Sequence, residues 1–151
     1  MTAVQEPGVE RFSVEVELAN HEDLYRAKAG LITPEQVRRV RARGIVDSGA
    51  TRLVIPESIA QQLGLEVSGS AKVRYANNQT AERSIVKGIY LSYGGRDSVF
   101  NAIVEPDRQS ILIGAIVLED LDFLVDCVGQ RLVPRDPKQI VSEAEGFDSY
   151  L

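Results

Sequence analysis

Hydrophobic and polar positions alternate with a period of two near the start of the chain, where Phe12, Val14, Val16 and Leu18 interleave with Ser13, Glu15 and Glu17. That pattern predicts a strand with one wet face. From Ala19 to Gly30 the alternation dissolves into Asn, His, Glu and Asp, and a long polar loop is expected. Thr33-Pro34-Glu35-Gln36 then supplies a cap residue, a proline at the first helical position and a Gln three residues after the cap, which predicts a single helical turn. Val37 to Val46 returns to extended character, with Arg38, Arg39, Arg41 and Arg43 set around Val40 and Ala42, and runs into Asp47-Ser48-Gly49-Ala50-Thr51.

Leu53 to Ile55 predicts a short apolar strand, and Pro56 to Leu63 a short helix with Ile59, Ala60 and Leu63 on one face and Gly64 as its stop. Lys72 to Ala76 and Thr80 to Val86 flank Asn77-Asn78-Gln79, residues that tolerate positive φ at a hairpin tip. Ile89 to Tyr93 and Asp97 to Val104 flank Gly94-Gly95, a second hairpin signal. Ile111-Leu112-Ile113 ends at Gly114, a helical patch follows to about Leu121, and Phe123 to Cys127 and Arg131 to Val133 give two last strands around Gly129. Many short strands, frequent turns and only two or three brief helices predict an all-β domain of barrel or sandwich type. An apolar strand that ends in Gly and leads into a helix occurs twice, at Ile45 to Leu63 and at Ile111 to Leu121. The expected organisation is a flexible leader at 1–9, one domain at 10–137, and a disordered acidic tail at 138–151 that carries Glu143, Glu145 and Asp148.

Composition narrows the chemistry. A chain of 151 residues with 44% hydrophobic positions can bury a core without a disulfide or a structural metal. One Cys, Cys127, and one His, His21, cannot supply the clustered soft ligands of a zinc or iron–sulfur site, and no metal or organic cofactor is expected. With 17 Lys plus Arg against 22 Asp plus Glu, the net charge of -5 repels phosphate backbones, so nucleic acid is not the expected partner. No stretch approaches the roughly 20 apolar residues of a membrane span, and Met1 to Gly8 lacks the features of a secretory signal, so no membrane partner and a cytoplasmic location are expected.

Candidate chemistry concentrates at Ile45-Val46-Asp47-Ser48-Gly49-Ala50-Thr51, where an apolar strand delivers an acid, a hydroxyl and a glycine at its end. The Asp-Ser-Gly tripeptide alone carries little weight, because ordinary residue frequencies produce Asp, Ser or Thr, then Gly in roughly one chain in ten of this length, and its commonest use is to cap a turn. Its setting adds more. A glycine there lets backbone amides approach the carboxylate, and a small Ala50 leaves room beside it for a substrate chain.

Taken with the helix at Pro56 to Leu63, the hairpin at Val73 to Ile85, Ile111-Leu112-Ile113-Gly114 before a helix, and the closing runs Phe123-Leu124-Val125-Asp126 and Arg131-Leu132-Val133-Pro134, the chain resembles the retropepsin-like aspartic proteases, bacterial and archaeal members above all. The resemblance spans about Phe12 to Pro134. It implies a closed acid-protease β barrel with one or two short helices and one half-site per chain, completed in a homodimer that hydrolyses peptide or protein substrates. Asp47 takes the catalytic role, and a water is activated between two Asp47 carboxylates that share one proton. Ser48 reaches across the twofold axis, Gly49 gives close backbone contact, and Ala50 and Thr51 complete the loop. The hairpin around Tyr75, Ala76, Asn77 and Asn78 becomes the flap, and Ile113 and Gly114 pack beneath the catalytic loop. Ala115 stands where retroviral members carry an arginine that supports the dimer, and the flap tip lacks their glycine-rich run. The alternative on the same fold is a catalytically silent peptide-binding or dimerisation module.

Other residues invite plainer readings. Alternating Arg38, Arg39, Arg41 and Arg43 are expected to form a solvated strand face. His21 is expected at the surface, Cys127 as a buried thiol in an apolar strand, and Asp126 as a structural residue, since Cys127-Val128-Gly129 does not repeat the turn after Asp47.

Overall fold

The computed structural model describes residues 11–136 and 138. The expected leader at 1–9 and, Lys138 apart, the expected tail at 138–151 lie outside the described residues. Strands β1 (Arg11–Asn20), β2 (Arg39–Asp47), β3 (Leu53–Pro56), β4 (Val67–Arg74), β5 (Thr80–Tyr93), β6 (Arg96–Glu105) and β7 (Ile111–Ile113) form one sheet. Within it β1 pairs with β2, β2 with β7, β7 with β3, β3 with β6, β6 with β5, and β5 again with β1. Six strands therefore close into a barrel, as expected, and β4 hangs on β5 outside the ring. Closure leaves the ring without the free edges that invite aggregation. Inside it Leu18, Val46, Leu53, Ile55, Ile89, Leu91, Ile111 and Ile113 are almost fully shielded from water.

Two strands expected at Thr80 to Val86 and Ile89 to Tyr93 are one. β5 runs through Gly88, whose φ of +74° accommodates a register shift between Val86 and Ile89, and so bends from pairing with β4 to pairing with β1. The short helices α2 (Glu57–Gln62) and α3 (Ala115–Asp120) occupy the two segments that the sequence predicts, and the turn at Pro34–Gln36 is a 3-10 helix closed by a Thr33/Gln36 capping box.

The segment expected as a polar loop is instead largely helix α1 (His21–Lys28). Asn20 caps it by accepting the Asp23 N–H at 3.0 Å, while Glu22 and Asp23 at its start and Arg26 and Lys28 at its end suit the helix dipole. What docks α1 is polar rather than apolar. Buried Asp23 accepts from the Arg38 backbone N–H and from its Nε and Nη2 at 2.8–3.0 Å, and the Asn20 side chain donates to the Leu63 carbonyl at 2.9 Å. Arg38, just before β2, thus remains exposed as expected of the arginine run but spends its guanidinium on buried Asp23, whereas Arg39 and Arg41 pair across strands with Glu17 and Glu15.

After α3, β8 (Phe123–Asp126) and β9 (Arg131–Pro134) form a separate two-stranded ribbon. Asp126 accepts from Gly129 N–H and Arg131 Nε at 3.0 Å and so shapes its turn, a structural use. Cys127 is exposed, contrary to the buried thiol expected, because β8 stops one residue earlier and the turn carries Cys127 and Val128 into solvent. His21, the first residue of α1, is exposed as expected.

Hydrogen bonds from Arg38 hold the Asp23 carboxyl below its ordinary value of 3.8, against the opposing effect of burial. A carboxyl lowered on folding stabilises above its unfolded value and ceases to do so as pH falls through the folded one. Asp23→Ala is expected to cost about 1–3 kcal/mol near neutral pH, since it strands the Arg38 N–H. Thermal melts of the two proteins should show a Tm gap that is full at neutral pH and closes below pH 3.8.

Candidate active site

β2 ends by delivering Asp47 beside buried Val46, and Asp47 is itself only 6% exposed. A buried carboxylate needs donors, and three contacts serve this one and its carbonyl. Its Oδ1 accepts the Gly49 N–H at 3.0 Å, its backbone carbonyl accepts the Ala50 N–H at 3.1 Å, and its Oδ2 faces Arg11 Nε at 3.3 Å. Arg11 stands directly across the β1–β2 ladder from Asp47. Ser48, Gly49 and Thr51 are exposed, Ala50 is half-buried, and the Ser48 hydroxyl makes no hydrogen bond among the described residues.

The loop rests on the second strand-to-helix unit. β7 runs parallel to β2, with Val46 opposite Ile113. The first backbone amides of α3, which lack partners within the helix, donate to the loop: Ala115 N–H to the Ala50 carbonyl at 2.8 Å and Ile116 N–H to the Thr51 carbonyl at 2.9 Å. Gly114 lies so close that a Cβ there would fall 2.6 Å from the Arg52 carbonyl oxygen and 2.7 Å from the Thr51 carbonyl carbon. Ile113 and Gly114 thus sit against the loop that bears Asp47.

A cleft of about 530 Å³ separates loop residues Gly49, Ala50, Thr51 and Arg52 from Lys72, Val73, Arg74 and Tyr75 of the β4–β5 hairpin, with Val54, Ile103 and Leu112 also lining it. Tyr75 stands at the turn end of β4, where its N–H donates to the Gln79 carbonyl at 2.9 Å. Its hydroxyl donates to Glu105 Oε2 at 2.7 Å, and Arg83 Nε donates to both the Tyr75 oxygen at 2.9 Å and Glu105 Oε1 at 2.5 Å. Burial first, and the Glu105 carboxylate second, push the Tyr75 phenol up, while the bond to Glu105 raises Arg83. The hairpin tip is built from local bonds: Asn78 takes φ +68°, and Asn77 Oδ1 accepts the Gln79 N–H at 3.0 Å. Ala76, Asn77 and Asn78 are exposed at that tip and do not line the cleft.

Sequence reading overlooks Arg11, Arg52, Lys72, Arg74, Glu105 and Arg108. Half-buried Arg108 lines the cleft and bonds the Ser110 carbonyl at 2.7 Å; burial pulls its guanidinium down, and the Glu105 and Asp47 carboxylates push it back up. The signal for Arg11 lay in the alternation, which gives β1–β2 pairing but not its register. For the others no local signal exists, because they come from three separate turns and strands.

Residues 34–125, more than half of the chain, match the family model described as aspartyl protease. Among solved structures, the EIAV protease complexed with the inhibitor HBY-793 superposes with a TM-score of 0.51 at 14% identity, over 86% of this chain and 99% of that one. This likeness shows a shared fold. No curated protein matches the sequence.

Gly114→Ala is expected to push the Thr51–Arg52 backbone aside and to lower stability by about 1–3 kcal/mol, the cost of overpacking. Denaturant unfolding beside wild type checks it; an unchanged midpoint would mean that the loop yields freely.

Proposed function

Because the chain belongs to the aspartyl protease family, we propose that it is an aspartic endopeptidase whose active site is completed by a second copy of itself, each protomer contributing Asp47. The observation that supports this reading most directly is the solitude of Asp47. Among the described residues the one carboxylate lining the cleft beside the Asp47 loop is Glu105, and it is engaged by Arg83 and Tyr75. In this reading one chain holds half of a carboxylate pair, at the strand end that opens a loop whose Ser48 and Gly49 are exposed.

In such a dimer the two carboxylates approach to about 3 Å, and their repulsion keeps one proton between them. The ionised member takes a proton from a water as that water attacks the peptide carbonyl, and the protonated member donates to the carbonyl oxygen. As the C–N bond breaks, the carboxyl that took the water's proton gives it to the leaving nitrogen, and its partner takes a proton back from the gem-diol hydroxyl, so the pair again shares one. On this chain the Gly49 amide fixes Oδ1 of each Asp47, and the interlock with α3 holds the loop rigid, so the pair is preorganised rather than recruited by substrate. Ser48, whose hydroxyl has no hydrogen-bond partner among the described residues, bonds the facing loop in this reading. The β4–β5 hairpin covers the bound peptide.

Asp47→Asn keeps an oxygen for the Gly49 amide but cannot share a proton, so it is expected to abolish cleavage of a diverse peptide library, from acid to neutral pH, while remaining a folded dimer. Cleavage retained in that variant would sink the mechanism. The wild type should show a bell-shaped rate profile, because the two titrations belong to the pair. Ser48→Ala removes two symmetry-related hydrogen bonds of about 0.5–1.5 kcal/mol each and should raise the dimer dissociation constant roughly tenfold. Sedimentation equilibrium measures it, and an unchanged constant would remove the cross-axis role.

A further inference from the structure

The chain is acidic overall, yet the cleft beside Asp47 is not. Most arginines elsewhere have carboxylate partners: Arg26, Arg38, Arg39, Arg41, Arg83 and Arg131 all form ion pairs. Arg52, Lys72, Arg74 and Arg108 line the cleft, and none of these four forms an ion pair among the described residues. The first three are exposed, and Arg108 is half-buried. The cleft's own acid, Glu105, is bonded by Arg83 and Tyr75; it and Asp47 reach Arg108 through space, and Arg52, Lys72 and Arg74 have no such partner among the described residues, so positive charge is in excess there. A concave wall of low dielectric concentrates such a field toward its opening.

Resting on the protease reading for its chemistry, we infer that this cleft selects acidic peptides, with Asp or Glu side chains flanking the bond to be cut. Arg52 lies on the loop that bears Asp47, whereas Lys72 and Arg74, two residues apart, share one face of β4. Charges on both walls of the cleft suit carboxylates spaced along an extended chain, whose successive side chains turn to opposite sides. Cations freed of internal partners attract such a ligand at little desolvation cost, and because they sit at a partly wet rim their contribution is modest and sensitive to salt. Nucleic acid is the less suited occupant: the cleft's aromatic residue is Tyr75, whose hydroxyl is tied to Glu105 and whose ring lies against Arg83 at 5.8 Å, so no free platform for base stacking lines it.

The test compares three peptides of matched length, one with Glu at two flanking positions, one with Gln and one with Lys there. Wild type should cleave the Glu peptide with a kcat/KM at least threefold above that of the Gln peptide and further above that of the Lys peptide. The ratio should fall toward one in roughly 0.5 M salt and in Lys72→Gln/Arg74→Gln. Equal rates for Glu and Gln peptides, or a preference for Lys, would overturn the inference while leaving the protease reading intact. Anisotropy of the labelled peptides with Asp47→Asn provides the same ratio without turnover. If no peptide is cut by wild type, tighter binding of the Glu peptide still upholds the charge selection and only the proteolytic reading fails; equal binding, or displacement by oligothymidylate in preference to the Glu peptide, overturns it.

Discussion

Burying Asp47 at the end of β2 demands partners for its charge and for the polar backbone that turns beneath it, and those partners come from three separate segments. Arg11 reaches it from β1, Gly49 from its own loop, and the amides of Ala115 and Ile116 hold the next carbonyls from α3. Gly114 lets the two strand-to-helix units approach closely enough for those bonds to form, because a side chain there would collide with the Thr51–Arg52 backbone. The barrel serves this arrangement. Its parallel β2–β7 pairing sets Val46 beside Ile113 and thereby aligns the two units.

Much of this was legible in the sequence, for physical reasons that differ by element. Period-two alternation marks β1 because one of its faces is wet, and Asp47-Ser48-Gly49, a tripeptide that most often only caps a turn, stands out through its setting at the end of an apolar strand and the elements that follow it. The repeated strand-to-helix pattern is real in space as well as in sequence. By contrast α1 was hidden, since its docking relies on Asp23, Arg38 and Asn20 rather than on an apolar stripe, and helix reading depends on that stripe. Gly88 looked like a strand end and is a bend within β5. Cys127 continued an apolar run by one residue beyond the point where pairing stops.

The cleft itself was the least legible part. Its charged lining draws on Arg52, Lys72, Arg74, Glu105 and Arg108, residues distant along the chain whose meeting depends on how the hairpin folds over the loop. Tyr75 could be placed at the hairpin from its position alone, but its engagement with Arg83 and Glu105 requires the β5–β6 register. That engagement ties the turn end of the hairpin to the end of β6, while the turn itself, held by local bonds of Asn77 and Asn78, lies beyond the cleft lining.

The order of strands around the barrel also dictates when the site can exist. The meander of β4, β5 and β6 joins neighbours in sequence and carries a low entropic cost of closure, whereas β2 meets β7 and β1 meets β5 only across long stretches of chain. A ribosome must therefore release Ile113 to Ile116 before the loop around Asp47 gains its supports, so an emerging chain assembles its hairpin first and the Asp47 loop last. Topology alone thus delays the ordering of that loop until synthesis of the barrel is complete.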